Sequence, residues 1–189
     1  MPRTLLVFAH DDEASAFAKA GVPHLVTGVG KINATLALSR AILDLSRTDT
    51  AVGRVIVLGT AGAVSEQARL DTVYQVTAAV QHDFSLDSPR LELAGDVVAE
   101  GAVIATGDVF VQDDAQRAAI AAVGASLVDM ESYAYAAACR QLGVPLQIFK
   151  TPSDFADSST TQGEWDGIVG SKSAQLFAFA EDRLPHLLG

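Results

Sequence analysis

Short apolar, β-branched runs alternate with longer Ala-rich stretches along the chain. Thr4 to Ala9 is apolar at successive positions, the pattern of a strand buried on both faces. Asp11 to Ala20 reads as a helix with Asp and Glu in its first turn, where the helix dipole favours them. His24 to Thr27 is a short strand, and Gly28-Val29-Gly30 a turn. Ile32 to Leu45 carries apolar residues at helical spacing. Arg54 to Leu58 is a second all-apolar strand, ending at Gly59-Thr60-Ala61-Gly62. Thr72 to Val80 and Val103 to Thr106 are further strands, and Ala115 to Ala122 a helix. Ser126 to Val128 is a short strand running into Met130-Glu131. Ser132 to Leu142 is a helix ended by Gly143. Leu146 to Lys150 is the last strand and Asp166 to Leu184 the last helix. Gln81 to Glu100 is polar, has no firm period and is a loop or an irregular hairpin. Apolar strands alternating with helices predict one α/β domain over residues 1–189. Its expected architecture is a three-layer α/β/α arrangement around a twisted, mixed, mostly parallel sheet.

In such sheets the ligand site lies beyond the carboxyl ends of the strands. The sequence puts its unusual residues there: His10 to Glu13, Gly28-Val29-Gly30, Gly59 to Gly62, Gly107-Asp108, Asp129-Met130-Glu131 and Ser153-Asp154. Taken singly, each has a plain structural explanation. Asp11, Asp12 and Glu13 suit a solvated helix start, and Glu131 a first helical turn. Gly28-Val29-Gly30-Lys31 lacks the third glycine of a dinucleotide fingerprint and the spacing of a P-loop, so a nicotinamide enzyme is not supported. His10, His24, His82 and His186 are scattered without ligand spacing, and no metal site is expected. Cys139, inside an Ala-rich helix, reads as a buried small hydrophobe.

Composition narrows the partners. Thirteen Lys and Arg stand against 23 Asp and Glu, a formal charge of −10. An acidic surface repels phosphate backbones and anionic lipid, so nucleic acid and membranes are poor partners. A small neutral or cationic ligand fits better. A single cysteine excludes an internal disulfide and any cysteine-built metal site. The start, Met1-Pro2-Arg3-Thr4, leads into an apolar run too short for a signal peptide, and no run approaches a membrane span. The expectation is a soluble, cytoplasmic protein.

Taken in order, six segments resemble the purine nucleoside phosphorylase/uridine phosphorylase superfamily, and within it the methylthioadenosine/S-adenosylhomocysteine nucleosidase branch. They are Ala9-His10-Asp11-Asp12-Glu13, Thr27 to Ala34, Gly59-Thr60-Ala61-Gly62-Ala63, Thr106-Gly107-Asp108-Val109-Phe110, Val128-Asp129-Met130-Glu131 and Ser153-Asp154-Phe155-Ala156-Asp157. Together they span nearly the whole chain. The resemblance implies a mixed sheet wrapped by helices, no cofactor, and a homodimer or larger homo-oligomer acting on a small purine nucleoside.

It also implies roles. Glu13 matches the carboxylate that activates the attacking water. Asp154 matches the acid at purine N7, supported by Ser153. Glu131 holds the ribose hydroxyls, with Met130 against the sugar. Phe110 stacks on the base, the Val111 backbone reads its edge, and Trp165 closes over the 5′ side. Thr60, Ala61 and Gly62 belong to the substrate-binding segment. Asp129 stands where a longer glutamate is usual, and Lys150 where nucleosidases commonly have arginine. Lys150 keeps the charge and loses the bidentate fork.

The implied reaction is hydrolysis of the N-glycosidic bond of a 6-aminopurine nucleoside, releasing adenine. Related superfamily phosphorylases bind phosphate with arginines after the first strand and just before the Gly-rich segment. Here those positions read His10 to Glu13 and Val57-Leu58-Gly59-Thr60, so water is the expected nucleophile. A futalosine-type hydrolase, a phosphate-dependent phosphorylase and a non-catalytic nucleoside binder are the alternatives.

Overall fold

The computed structural model describes residues 3–47 and 51–188. Met1 and Pro2, part of the start weighed above for a leader, lie outside them. In chain order the strands are β1 (Arg3–Phe8), β2 (Leu25–Val26), β3 (Val52–Ala63), β4 (Tyr74–Gln81), β5 (Leu91–Glu92), β6 (Glu100–Thr106), β7 (Leu127–Asp129) and β8 (Leu146–Asp154). The helices are α1 (Ser15–Lys19), α2 (Lys31–Ser46), α3 (Asp114–Ala122), α4 (Ser132–Leu142) and α5 (Gln162–Arg183), followed by a 3-10 turn at Pro185–Leu187. No helix among the described residues is long and apolar enough to cross a membrane.

The sheet is mixed. β1 runs parallel to β2 and β3, β3 to β8, β4 to β6, and β6 to β7, while β3–β7, β4–β5 and β4–β8 are antiparallel. The expected middle layer is an open sheet, and the pairings add something that picture lacks. β3, β8, β4, β6 and β7 pair in sequence and return to β3, closing a ring. Closure depends on β7, which is parallel to β6 on one side and meets the end of β3 antiparallel at Gly62 and Ala63 on the other. Such short, distant pairings leave no periodic trace in a sequence.

Helices bury both sides of the β1–β3–β8 region. On one side Val55, Val57 and Ile148 pack with Leu38 and Ile42 of α2 and Tyr135 and Cys139 of α4. On the other, Ile56, Leu58 and Phe149 pack with Phe17 of α1 and Leu176 and Ala180 of α5. These side chains alternate along β3, which is why a strand buried on both faces reads as unbroken apolar sequence. Burial holds the Cys139 thiol up at about 12, which keeps it inert.

Several boundaries differ from expectation for local reasons. The first helix starts at Ser15, and Asp11 to Glu13 form a turn before it, because Glu13 points inward. β3 runs on through Gly59 to Ala63 instead of turning there, and β8 continues to Asp154. α5 begins at Gln162, four residues early, under a capping box formed by Thr161 and Glu164. The 81–100 segment is an irregular hairpin whose β5 pairs with β4. By contrast, α4 has its expected limits and ends at Gly143, whose φ of 68° is the left-handed conformation that closes a helix.

Candidate active site

A cleft of about 240 Å3 opens where β1, β3, β7 and β8 end. That is near the lower limit of small-molecule sites, roughly 300 Å3. Its walls include Glu13, Thr60, Ala61, Gly62, Phe110, Val111, Asp129, Met130, Glu131, Ser153, Asp154 and Trp165. Residues from distant parts of the sequence thus converge on one surface. Lys150 is the one predicted residue that does not reach the wall. It is 1% exposed, beneath the floor.

Glu13 sits just past β1 and is 3% exposed. One carboxylate oxygen accepts the Ala9 and His10 amides, both at 3.2 Å. The other accepts the Thr60 amide at 2.6 Å and the Thr60 hydroxyl at 2.7 Å. Trp165 Nε1 donates to that same hydroxyl at 3.2 Å, so the indole, Thr60 and Glu13 form a chain. The Glu13 backbone is pinned from α5, where the Ser173 hydroxyl donates to its carbonyl at 2.7 Å. Gly59 makes the arrangement possible. A Cβ there would lie 3.0 Å from the Glu13 carboxylate and 3.1 Å from Lys150 Nζ.

Lys150 Nζ is 3.0 Å from Asp129 Oδ2. Burial alone would lower its pKa, but Asp129, Glu13 and Glu131 outweigh burial and hold it raised. Asp129 spends both oxygens on the protein. Oδ1 accepts the Thr106 hydroxyl at 2.7 Å, and Oδ2 the Ser132 hydroxyl at 2.6 Å as well as Lys150. Glu131 accepts the Gly30 amide at 2.8 Å, in a turn where Gly30 has φ of 94°. Burial, reinforced by Asp129, pushes the Glu131 carboxyl up to about 8.

Asp154 reaches the cleft from the end of β8. Ala61 pairs with Pro152 and Gly62 with Asp154, so Ser153 is an extra residue on β8. That bulge, with Pro152 beside it, re-aims the strand end. Asp154 Oδ2 accepts the Ser153 hydroxyl at 2.7 Å and Oδ1 the Ala156 amide at 2.8 Å. Ala156 is a non-glycine residue at φ 51°, strain located beside the acid. Burial raises the Asp154 pKa above the usual carboxylate range, although Ser153, Ala156 and Thr160 donate to it. Gly62 leaves it room, since a Cβ there would meet Ala156 Cβ at 2.8 Å and Asp154 Oδ1 at 3.2 Å.

Phe110 and the buried Val111 also line the cleft, on the loop after β6. The Asp108 side chain accepts the Lys31 amide at 2.7 Å, and its own amide donates to Asp83 at 2.8 Å, which moors that loop to the start of α2. The cleft also has walls beyond the predicted set, among them Val29, Gln162 and Asp166. The Thr161-x-x-Glu164 signature was the available signal for the last two, because it starts α5 before Asp166. His10 joins them, edge-on to Trp165 with ring centroids 5.3 Å apart. Among the described residues no three His, Cys, Asp or Glu side chains are grouped to hold a metal ion.

Three acids lining one cleft, two of them deeply buried, and a mixed sheet closing beneath define an enzyme-like site on a nucleoside phosphorylase type of fold. Residues 86–182 match the family model described as the phosphorylase superfamily, and the chain belongs to that family. It is 27% identical over 176 residues to the aminodeoxyfutalosine nucleosidase of Helicobacter pylori strain 26695, a match covering 79% of this chain and 73% of that protein. It is 26% identical over 161 residues to the 5′-methylthioadenosine/S-adenosylhomocysteine nucleosidase of Exiguobacterium sp. strain AT1b, covering 70% of this chain and 67% of that one. Its fold is similar to that of a mutant futalosine hydrolase of H. pylori strain 26695, with TM-score 0.85 at 19% identity, covering 98% of this chain and 100% of that one. It is also similar to the H. pylori methylthioadenosine/S-adenosylhomocysteine nucleosidase solved with butyl-thio-DADMe-Immucillin-A, with TM-score 0.84 at 21% identity, covering 98% and 99%.

Proposed function

We propose that this chain hydrolyses the N-glycosidic bond of a 6-aminopurine nucleoside such as methylthioadenosine or S-adenosylhomocysteine, releasing adenine. The observation that supports the reading is that two acids line one cleft, Glu13 bonded to Thr60 and Asp154 paired with Gly62 two positions further along β3. Bond cleavage builds positive charge on the ribose while electrons move into the base. Asp154, with its raised pKa, gives a proton to purine N7. Glu13 takes one from water at the far face of the sugar, the geometry of inverting glycoside hydrolysis. Glu131 holds the ribose hydroxyls, and the surrounding carboxylates favour the developing cation. Phe110 stacks on the base and the Val111 backbone meets its edge. Met130 lies against the sugar and Trp165 over its 5′ side. Lys150 acts from beneath by fixing Asp129.

Water is the nucleophile in this reading because, among the described residues, no lysine or arginine lines the cleft. Carboxylates beside a phosphate dianion repel it. A futalosine-type hydrolase is the second reading, favoured by the names of relatives in H. pylori. It would use the same acids and differ at the 5′ end. A homodimer or larger assembly is part of the proposal, supported by Ile32, Leu36 and Leu43, exposed apolar residues on one side of α2. The test is adenine release from methylthioadenosine, followed by chromatography with and without phosphate. Release in phosphate-free buffer is expected. Release that requires phosphate would overturn the choice of water.

A further inference from the structure

Once base, ribose and water are assigned, a rim remains beside Trp165, made by His10, Gln162 and Asp166. A 5′ substituent leaving the ribose must pass it. Gln162 Nε2 donates to Asp166 Oδ1 at 3.0 Å, so the amide holds that exposed carboxylate at the opening. His10, also on this rim, is accompanied by an acidic neighbour. Its Nδ1 accepts the Asp12 amide at 3.2 Å, and the Asp12 carboxylate lies 3.4 Å from the same nitrogen. The start of α5 is no anion site either, since Thr161 and Glu164 cap it reciprocally and Glu164 adds a negative charge there. Among the described residues, the ionisable side chains lining the cleft other than His10 (Glu13, Asp129, Glu131, Asp154 and Asp166) are all acidic.

We propose that Asp166 is a specificity-determining residue, which selects 5′ substituents ending in a neutral or cationic group over those ending in a carboxylate. The inference rests on the nucleosidase reading for the direction in which the substrate lies. It separates the two readings above, because futalosine-type nucleosides end in a carboxylate alone, whereas S-adenosylhomocysteine carries a compensating ammonium.

The test uses a charge-matched pair, 5′-(2-aminoethylthio)-5′-deoxyadenosine and 5′-(2-carboxyethylthio)-5′-deoxyadenosine, with methylthioadenosine as neutral reference. Two readouts are taken on the intact protein: kcat/KM from adenine release, and Kd from fluorescence of Trp165, the only tryptophan. The amine is expected to exceed the carboxylate by about tenfold in both, a modest factor suited to an exposed charge. Asp166→Asn should shrink that ratio to about twofold, and Asp166→Glu should keep it. Raising the salt to about 1 M should also shrink it, since screening then acts within about 3 Å. The wild-type ratio and its salt dependence therefore test the proposal even where a variant fails to fold. Equal or reversed preference in the wild type, or a ratio that Asp166→Asn leaves unmoved, overturns it. Turnover of all three probes with no charge ranking keeps the nucleosidase and removes the rim assignment. A Kd ranking without adenine release does the reverse. No turnover and no binding overturn both.

Discussion

Glu13 and Asp154 face the same cleft and are both largely buried, yet their surroundings differ in kind. Glu13 is an acceptor four times over, from three backbone amides and one hydroxyl, with the Lys150 ammonium nearby. Asp154 hangs from a bulge and accepts fewer close donors, chiefly the Ser153 hydroxyl and the Ala156 amide. Burial makes ionisation costly at Asp154, whereas hydrogen-bond donors surround the Glu13 carboxyl group.

The strongest way to break this contrast is to remove the cation under the Glu13 end. Lys150→Met strands the buried Asp129 carboxylate and should lower unfolding free energy by about 3–5 kcal/mol, measured by urea denaturation. A loss below about 1 kcal/mol would mean the charges there are not balanced by Lys150. Next come the acids themselves. Glu13→Gln and Asp154→Asn should each lower kcat by at least about a hundredfold, the scale of acid/base groups. The pH profile sharpens the contrast. An acid must be protonated to work, so wild-type kcat should fall as pH rises through the elevated Asp154 pKa. That limb should vanish in Asp154→Asn and persist in Glu13→Gln.

Glu131 gives a test on stability. An ordinary glutamate loses its proton near 4.5, whereas Glu131 in the fold keeps it to about 8. Between those values the folded chain retains a proton that the unfolded chain has released. Stability from this group is therefore full below 4.5, declines as pH rises, and is gone above about 8. Denaturation curves across that window should show the decline, and Glu131→Gln should flatten it. The smallest effect is expected at Thr161→Ala, which removes the α5 cap and should cost about 1 kcal/mol in thermal unfolding.

Much of this was legible in the chain. Clusters at the ends of β1, β3 and β8 converge because those strands are parallel, whereas β7, antiparallel to β3, brings Asp129 to Glu131 in from the other direction. α4 and its terminal Gly143 follow directly from periodicity and a left-handed stop. What escaped was long-range. Gly59 and Gly62 look like turn residues, yet they lie within a continuous strand and serve close approach by Glu13, Lys150 and Ala156. Asp11 to Glu13 look like a capped helix start, but Glu13 bonds to Thr60, 47 positions away. Lys150, at the expected end of an apolar strand, gave no sign that its ammonium would be buried beneath the floor.

Ring closure has a consequence for the chain's solubility. Strand edges are where proteins recruit further strands and aggregate. Every strand of the ring already has a neighbour on each side. Among the described residues the free edges fall to β2 and β5, each only two residues long. An intermolecular sheet could be templated on the apolar β3 only by displacing β1, β8 or β7. The same pairings that shape the cleft floor thus shield the edges of that strand.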